Sequence, residues 1–386
     1  MAEKNLIAWS VDAGDYPASE ELDEKLEFLL RYAVLAPSGP NNQPWRLAVD
    51  GDEVTVKADF ERTLPDVEPT NRTTYMSLGC LLTNLLLAAE HFDLRYQVER
   101  FPDGIEAETI AVVKFQEDGG ASPQFPPYLF PEITERHTNR GAYDDRPIEA
   151  DKIEAMKEAV GDGGFRLDVL TDPAERAAMA EVLGESHRIQ LGNKAFRKDL
   201  ARWIRRNDED AWDGLPGYAF GYSDFESYFG KFVFGTFDTS TSRAKKEMAL
   251  MRASPAVGIL STDAEDKGTW VEAGMRFERL FLTATKLGSG STSSASRWRF
   301  RSSERGWSIS SASITPRSSS GWGTPHRRST PPGGRRRWSS PGGDLPGLDL
   351  EGAIQPLVGS RSLGAGRARG YIIRRRRAPR SIHLPP

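Results

Sequence analysis

The sequence is poor in the residues that build disulfides and metal centres. Cysteine occurs once, at Cys80, and a single cysteine excludes a disulfide framework and a zinc site built on cysteines. The five histidines are scattered along the chain, without the HExxH spacing of a helical zinc site. We therefore predict no metal site.

Long apolar runs are also missing. No stretch of 18 apolar residues occurs, so we expect no segment that spans a membrane and no membrane partner. The first residues, MAEKNLIAWSVDAGDYP, lack the charged and then apolar pattern of a secretory signal. A cytoplasmic location is the resulting expectation.

Several catalytic signatures are absent as well. The chain has no Walker A motif, no GxGxxG after a strand and no GxSxG elbow, which argues against the nucleotide-binding and hydrolase classes that use them. No local pattern pairs a nucleophile with a base. We therefore name no catalytic acid, base or nucleophile.

Charge is divided unevenly along the chain. Residues 289–386 contain 18 Arg, no Lys and four acidic residues, whereas residues 1–288 contain 33 basic and 51 acidic residues. The front part thus carries −18 and the tail +14. An acidic front does not suit a specific nucleic-acid binder.

The tail after Gly288 is a Ser/Arg/Gly/Pro mixture without sustained helix or strand periodicity. Two explanations stay open. GC-rich coding DNA read in the wrong frame gives such a mixture, and a frameshift near codon 288 would produce it. A natural disordered basic tail, able to contact nucleic acid or anionic membrane, would look the same.

The first part of the chain alternates helix and strand patterns. Residues 20–36 place leucines on one helical face. RLAV and EVTVKADF then predict a hairpin, with its turn at Asp50–Asp52. YMSLGCLLTNLLLAAEHF predicts a buried helix because it is apolar nearly all round. RYQVERFPD and ETIAVVKFQ predict two further strands.

A second cycle begins at Arg136. EADKIEAMKEAVG predicts a helix, FRLDVL and PAVGILS predict strands, and WVEAGMRFERLFLTATKLG predicts a second long buried helix. Between these strands the chain is helical in pattern and rich in aromatic residues. The sequence thus predicts two related α+β halves, 1–125 and 126–288, with an insertion at 172–250 and a separate tail at 289–386.

Two constellations could bind a polar ligand. The first is the loop of LAPSGPNNQPWRLAV, with Ser38, Asn41, Gln43, Pro44 and Trp45. Asn and Gln each offer an acceptor and a donor, which suits a planar heterocycle, and proline stiffens the loop. An ordinary capping loop, rich in common turn formers, is the alternative.

The second constellation is RHTNR, with Arg136, Thr138, Asn139 and Arg140. Two arginines four residues apart, with a hydroxyl and an amide between them, can close around a phosphate. A solvated charge run in front of a helix is the alternative.

Taken together, the motifs resemble a known family. APSGPNNQPW resembles the APSxxNxQPW loop of the nitroreductase family of FMN-dependent oxidoreductases. RHTNRGAYDDRPI is similar to that family's RRSxRxF segment. SLGCLLTNLLLAAEHFDL and EAGMRFERLFLTATKLG both resemble its GxxxQNLxLAAxxxGLG helix. The resemblance covers about residues 20–288.

The resemblance implies an α+β fold in which the nitroreductase-like unit is duplicated in one chain as a pseudo-dimer. This arrangement is similar to the Acg-type branch, in which a long helical insertion in the second half covers the flavin. One FMN site per chain follows, with Asn41 and Gln43 on the ring side and Arg136 and Arg140 on the phosphate. The aromatic stretch 203–237 would be the lid.

The implied function is FMN-dependent, NAD(P)H-driven reduction of nitro compounds, quinones or similar small-molecule acceptors, by a monomeric pseudo-dimer or a loose homodimer. A flavin-sequestering protein with little turnover is the alternative. In such enzymes the flavin supplies the chemistry and the protein orients it and excludes water.

Overall fold

The computed structural model describes residues 8–117, 123–138, 146–294, 299–302, 305–308 and 310–316. Its helices are α1 Leu22–Ala33, α2 Arg72–His91, α3 Glu132–Glu135, α4 Ala150–Val160, α5 Pro173–Gly192, α6 Lys194–Ala201, α7 Asp224–Thr236, α8 Ser240–Ala253 and α9 Lys267–Lys286. Its strands are β1 Trp45–Asp50, β2 Glu53–Ala58, β3 Arg95–Arg100, β4 Thr109–Gln116, β5 Phe165–Leu170, β6 Ile204–Arg205, β7 Leu215–Pro216, β8 Ala256–Thr262, β9 Ser289–Ser294, β10 Arg299–Ser302, β11 Arg305–Ser308 and β12 Ser310–Pro316. The fold class is α+β, as predicted.

The first sheet has the strand order β1-β2-β4-β3, and all its pairs are antiparallel. The predicted hairpin is confirmed, because β1 and β2 pair up to Asp50 and Glu53 around a two-residue turn. In β2, Val54 and Val56 are fully buried and alternate with less buried residues, the period of a strand with one face on a core.

The second sheet repeats this arrangement. Its order is β5-β8-β12-β9, again with antiparallel pairs throughout. When the elements between β5 and β8 and the β10–β11 pair are set aside, the chain runs helix, two strands, helix, two strands around each sheet, with α1 and α2 beside the first sheet and α4 and α9 beside the second. The strand order of the first sheet therefore recurs in the second.

The long helices α2 and α9 cross at two glycines. A Cβ on Gly79 would collide with the carbonyl of Val271, and a Cβ on Gly274 with the carbonyl of Met76. The close approach lets side chains bond to the opposite backbone: Cys80 Sγ donates to Gly274 O over 3.2 Å. The leucines of α2, including Leu78, are buried, which confirms the prediction that this helix is buried.

Helices α5 to α8 lie in the connection between β5 and β8, where the sequence predicted helical structure. The predicted strands FRLDVL and PAVGILS are confirmed as β5 and β8. The aromatic residues of 203–237 differ in burial. Trp203 is buried, whereas one face of α7 is exposed, with the side chains of Phe225, Tyr228, Phe229 and Phe232.

The strands after Gly288 differ from what the sequence suggested. The sequence predicted no strand period there, yet the backbone of Ser310–Ile314 pairs with Leu260–Ala256 of β8, and β9 pairs with the far side of β12. Strand β8 pairs with β5 along one edge, and the backbone groups of its other edge need partners, which β12 supplies. Because these bonds use the main chain, a strand can form here although its side chains lack the alternation seen in β2. Residues 317–386 of the predicted tail lie outside the described residues.

Within the described residues, no helix has the length and apolarity needed to cross a bilayer. In the same ranges, no group of three or more His, Cys, Asp or Glu side chains is arranged to hold a metal ion.

The helix crossing gives a test of the fold. Gly274→Ala should lower the free energy of unfolding by roughly 1–3 kcal/mol or more, because overpacking must push α2 and α9 apart. Urea unfolding measures this. Gly192→Ala, in α5 with no heavy atom within 4 Å of the added carbon, is the control and should change stability little. Equal stability of the two variants would contradict the close crossing.

Candidate functional site

The loop between α1 and β1, residues 35–45, has a tightly specified backbone. Asn41 and Gln43 both adopt left-handed conformations, with φ of 55° and 47°. Such angles are uncommon outside glycine and are held only where the surroundings enforce them. Ser38 provides one constraint, since its Oγ accepts a hydrogen bond from the Gln43 N–H over 3.0 Å. The loop is therefore a built structure.

The amides of Asn41 and Gln43 lie side by side. Gln43 Nε2 is 3.4 Å from Asn41 Oδ1 and donates to the carbonyl of Trp212 over 2.7 Å. Asn41 Nδ2 donates to Gly214 O over 3.0 Å, and Gly214 N–H donates back to Asn41 O over 2.8 Å. Residues 203–215 are therefore bound directly to the predicted ligand loop, and we call them the 203–215 segment.

Pro44 and Trp45 form the entry to the first sheet. Trp45 is the first residue of β1, pairs with Ala58 and belongs to the hydrophobic core. The carbonyl of Pro44 accepts from the Asp59 N–H over 3.0 Å. Both residues thus fix where the loop ends.

An ion-pair network fastens the 203–215 segment to the loop. Arg62 Nε donates to Asn42 O over 2.7 Å, and its terminal nitrogen bonds Asp213. The Arg62 guanidinium lies 5.1 Å from the ring of Trp203 and 5.5 Å from that of Trp212, within cation–π range.

Asp213 is shared with a second arginine. Its Oδ1 accepts from Arg205 Nε at 3.0 Å and from the Arg205 terminal nitrogen at 2.7 Å. The Asp213 side chain is 16% exposed, so the carboxylate is held by two guanidinium groups in a partly desolvated place. Charge-assisted bonds of this type are the strong ones.

The predicted phosphate segment is partly described. Arg136 is buried, at 4% exposure, and its Nη2 donates to the carbonyl of Leu35 over 2.8 Å. Thr138 lies two residues further and is half-buried. Asn139 and Arg140 lie outside the described residues. The structure therefore brings Arg136 to the start of the loop, and its role in binding phosphate stays a prediction.

A buried carboxylate lies against Arg136. Glu278 of α9 is fully buried, and its Oε1 is 3.4 Å from Arg136 Nε. Burial raises the pKa of Glu278 from 4.5 to about 7, against the opposing effects of the Arg136 charge and of a hydrogen bond from Asn84. Among the described residues, Glu278 Oε2 has no hydrogen-bond partner.

Sequence reasoning located the loop but missed Arg62, Asp213, Asn84 and Glu278. Arg62 and Asp213 carry no local signal, because each resembles an ordinary surface charge. Asn84 and Glu278 did carry a local signal. Each is a polar residue within a sequence that otherwise predicts a buried helix, and buried polar groups need partners.

Comparisons with known proteins agree with the motifs. No protein-family model matches the chain. A Mycobacterium tuberculosis protein named "Putative NAD(P)H nitroreductase Rv3131" is 24% identical over 270 residues, which cover 69% of this chain and 74% of that protein. "Uncharacterized protein Rv3127" of the same organism is 31% identical over 186 residues, 45% of this chain and 53% of that protein.

A solved structure is also similar. A Bacteroides fragilis nitroreductase with bound FMN has 14% sequence identity and a TM-score of 0.29, and the match covers 55% of this chain and 98% of that chain. A TM-score this low supports no conclusion about fold or function. The resemblance to nitroreductases that the motifs indicate is confirmed by the sequence relatives.

Asp213 gives a test of the attached segment. Asp213→Asn keeps the shape and removes the charge that holds Arg62 and Arg205, so the 203–215 segment should loosen. We expect trypsin to cleave after Arg205 and Arg206 several-fold faster. Glu209→Gln, which removes a more exposed carboxylate 4.0 Å from Arg205, is the control. An unchanged cleavage rate in Asp213→Asn would contradict the network.

Glu278 gives a test in pH. Its raised pKa means that the folded protein binds this proton more tightly than the unfolded chain. The stabilisation is fully present below pH 4.5 and is lost as pH rises through about 7. Relative to Glu278→Gln, the wild-type free energy of unfolding should fall by on the order of 2–3 kcal/mol between about pH 5 and pH 8. Urea unfolding at each pH measures it; parallel curves would exclude a raised pKa.

Proposed function

We propose that this chain is an FMN-dependent oxidoreductase that takes hydride from NAD(P)H and reduces nitro compounds, quinones or similar small-molecule acceptors. The observation that carries the proposal is the likeness over 69% of the chain to a relative named as an NAD(P)H nitroreductase. The loop geometry supports where the cofactor would bind.

We also infer that the chain is a pseudo-dimer of two nitroreductase-like halves. The repeated strand order and the crossing at Gly79 and Gly274 support the duplication. In this proposal β9 and β12 belong to the second repeat, because they occupy the positions of β3 and β4 in the strand order, and that repeat would extend beyond Gly288 to Pro316. The segment 172–250 then interrupts the second repeat between its first two strands.

The loop suits the ring side of a flavin. An isoalloxazine presents donors and acceptors along one edge, and the adjoining amides of Asn41 and Gln43 would match both once they exchanged their bonds to the carbonyls of Gly214 and Trp212. In the described part of the chain, Asn42 Oδ1 is buried without a partner, so the loop also has an unused acceptor. When bound, the flavin would accept hydride and pass electrons on; these residues would orient its ring.

The residues proposed to bind the phosphate come from the other half of the chain, and one of them contacts this loop. Arg136 of the second half contacts Leu35, the first residue of the loop. Thr138, Asn139 and Arg140 follow directly in sequence and would bind the phosphate near that contact. One cofactor site between the halves would result, as the resemblance implies.

A flavin-sequestering protein with little turnover is the second candidate. The observation that favours it is the contact between the loop amides and the carbonyls of Trp212 and Gly214. A segment fastened at this point would act as a lid and keep NAD(P)H and acceptors away from the ring.

Flavin binding and reduction test both candidates. The full-length protein is supplied with FMN, desalted and examined by its visible absorption spectrum; a retained flavin spectrum is the expected result. Anaerobic addition of NADPH or NADH should then bleach it if the protein is an oxidoreductase. A bound flavin that neither donor bleaches would favour sequestration, and a colourless folded protein would contradict both.

Gln43 gives the matched mutational test. Gln43→Ala should weaken FMN binding roughly 10-fold or more, since a buried hydrogen-bonding group that would face the ring is lost. Gln97→Ala, an exposed amide on β3, should bind FMN as the wild type does. FMN fluorescence titration measures both, and equal affinities would contradict the assignment of the loop.

A further inference from the structure

We propose that Glu278 is a positioning residue for the loop 35–45. Through Arg136 and Asn84 it fixes the two backbone groups at which the chain leaves α1, the carbonyl of Leu35 and the N–H of Ala36. The proposal deepens the proposed function in one respect, since it is this loop that would orient the flavin ring.

The contacts form a short relay. Glu278 Oε1 lies 3.4 Å from Arg136 Nε. With the Asn84 amide turned to the orientation in which both of its ends find hydrogen-bond partners, the same oxygen accepts from Asn84 Nδ2 over 3.2 Å. Arg136 donates to the Leu35 carbonyl over 2.8 Å. Asn84 Oδ1, with the amide oriented toward Glu278, accepts from the Ala36 N–H over 3.3 Å, a hydrogen that Ala33 O shares at 3.2 Å.

The relay joins three separate parts of the fold. Glu278 belongs to α9 and Asn84 to α2, whereas Arg136 directly follows α3. Arg136 and Asn84 contact the loop at consecutive residues, Leu35 and Ala36. A displacement of Glu278 would therefore be transmitted to the loop from two directions at once.

The Arg136 guanidinium is almost completely buried, so water can replace Glu278 only poorly. Its guanidinium lies 5.5 Å from the ring of Trp9 and 5.9 Å from that of Phe281, and the side chain is 4% exposed. A buried guanidinium without its carboxylate is poorly solvated. Removal of the Glu278 charge should therefore move Arg136 and release Leu35.

In the part of the chain that the structure describes, two ionisable groups face Glu278 from the neighbouring elements, Arg136 and Cys80. Burial raises the pKa of the Cys80 thiol well above its usual range, so this thiol stays neutral. The state of the relay thus depends on the Glu278 proton. The ionised carboxylate attracts Arg136, and the protonated acid does not.

Hydrogen exchange of the full-length protein, measured without flavin, tests the relay directly. At about pH 8, Glu278→Gln should exchange several-fold faster than wild type in peptides covering residues 34–46. The difference should shrink at about pH 6, where wild-type Glu278 is itself largely protonated. Glu272→Gln is the control, because Glu272 is on the same helix and pairs with Arg276 and Arg100 nearer the surface. Wild-type exchange in the loop of Glu278→Gln at both pH values would overturn the proposal.

If Glu278→Gln exchanges faster throughout the molecule, a second variant, Arg136→Lys, tests the relay. Arg136→Lys keeps a cation opposite Glu278 but lacks the guanidinium fork that reaches both Glu278 and Leu35. Faster exchange confined to residues 34–46 would support the relay. An unchanged loop in this variant would overturn it.

FMN titration separates this proposal from the proposed function. If both hold, Glu278→Gln should weaken FMN binding roughly 10-fold at about pH 8 and much less at about pH 6. If the wild type binds no FMN, the proposed function fails, while loop exchange still tests the relay. If FMN binds and Glu278→Gln matches wild type at both pH values, the relay fails as a positioning device.

Discussion

The crossing of α2 and α9 is the constraint on which the rest of the structure depends. Two glycines let the helix backbones approach until side chains of one bond to carbonyls of the other. Asn84 and Glu278 follow their respective glycines by little more than one helical turn, so the crossing also brings these two residues together. The buried polar cluster and the start of the loop are placed by this single contact.

The second feature of the site is its dependence on distant parts of the chain. The loop is local in sequence, but its amides bond residues 169 and 173 positions away. Arg136 reaches it from 101 positions away. A loop with two left-handed non-glycine residues is held in that shape by such contacts, so its geometry depends on Arg136 and on the 203–215 segment as well as on its own residues.

Local patterns predicted most of the regular structure before Gly288. The hairpin at Asp50–Asp52 and the buried helix at α2 follow from alternation and turn residues, which are properties of neighbouring residues. β12 was missed because its pairing with β8 satisfies main-chain groups and needs no particular side chains. The loop was located from its amides and prolines, whereas the Glu278 relay depends on a helix crossing that no local pattern encodes.

The connection between β5 and β8 has an implication for how such a chain can diversify. Its two ends are adjacent, since Leu170 pairs with Val257 across the ladder, and the corresponding strands of the first sheet are joined by the turn at Gly51 and Asp52. A long excursion and a minimal turn are therefore interchangeable at this place without strain on the sheet. The connection between β5 and β8 can therefore grow or shrink without disturbing the ladder, whereas any change in its 203–215 segment would also change the support of the loop 35–45.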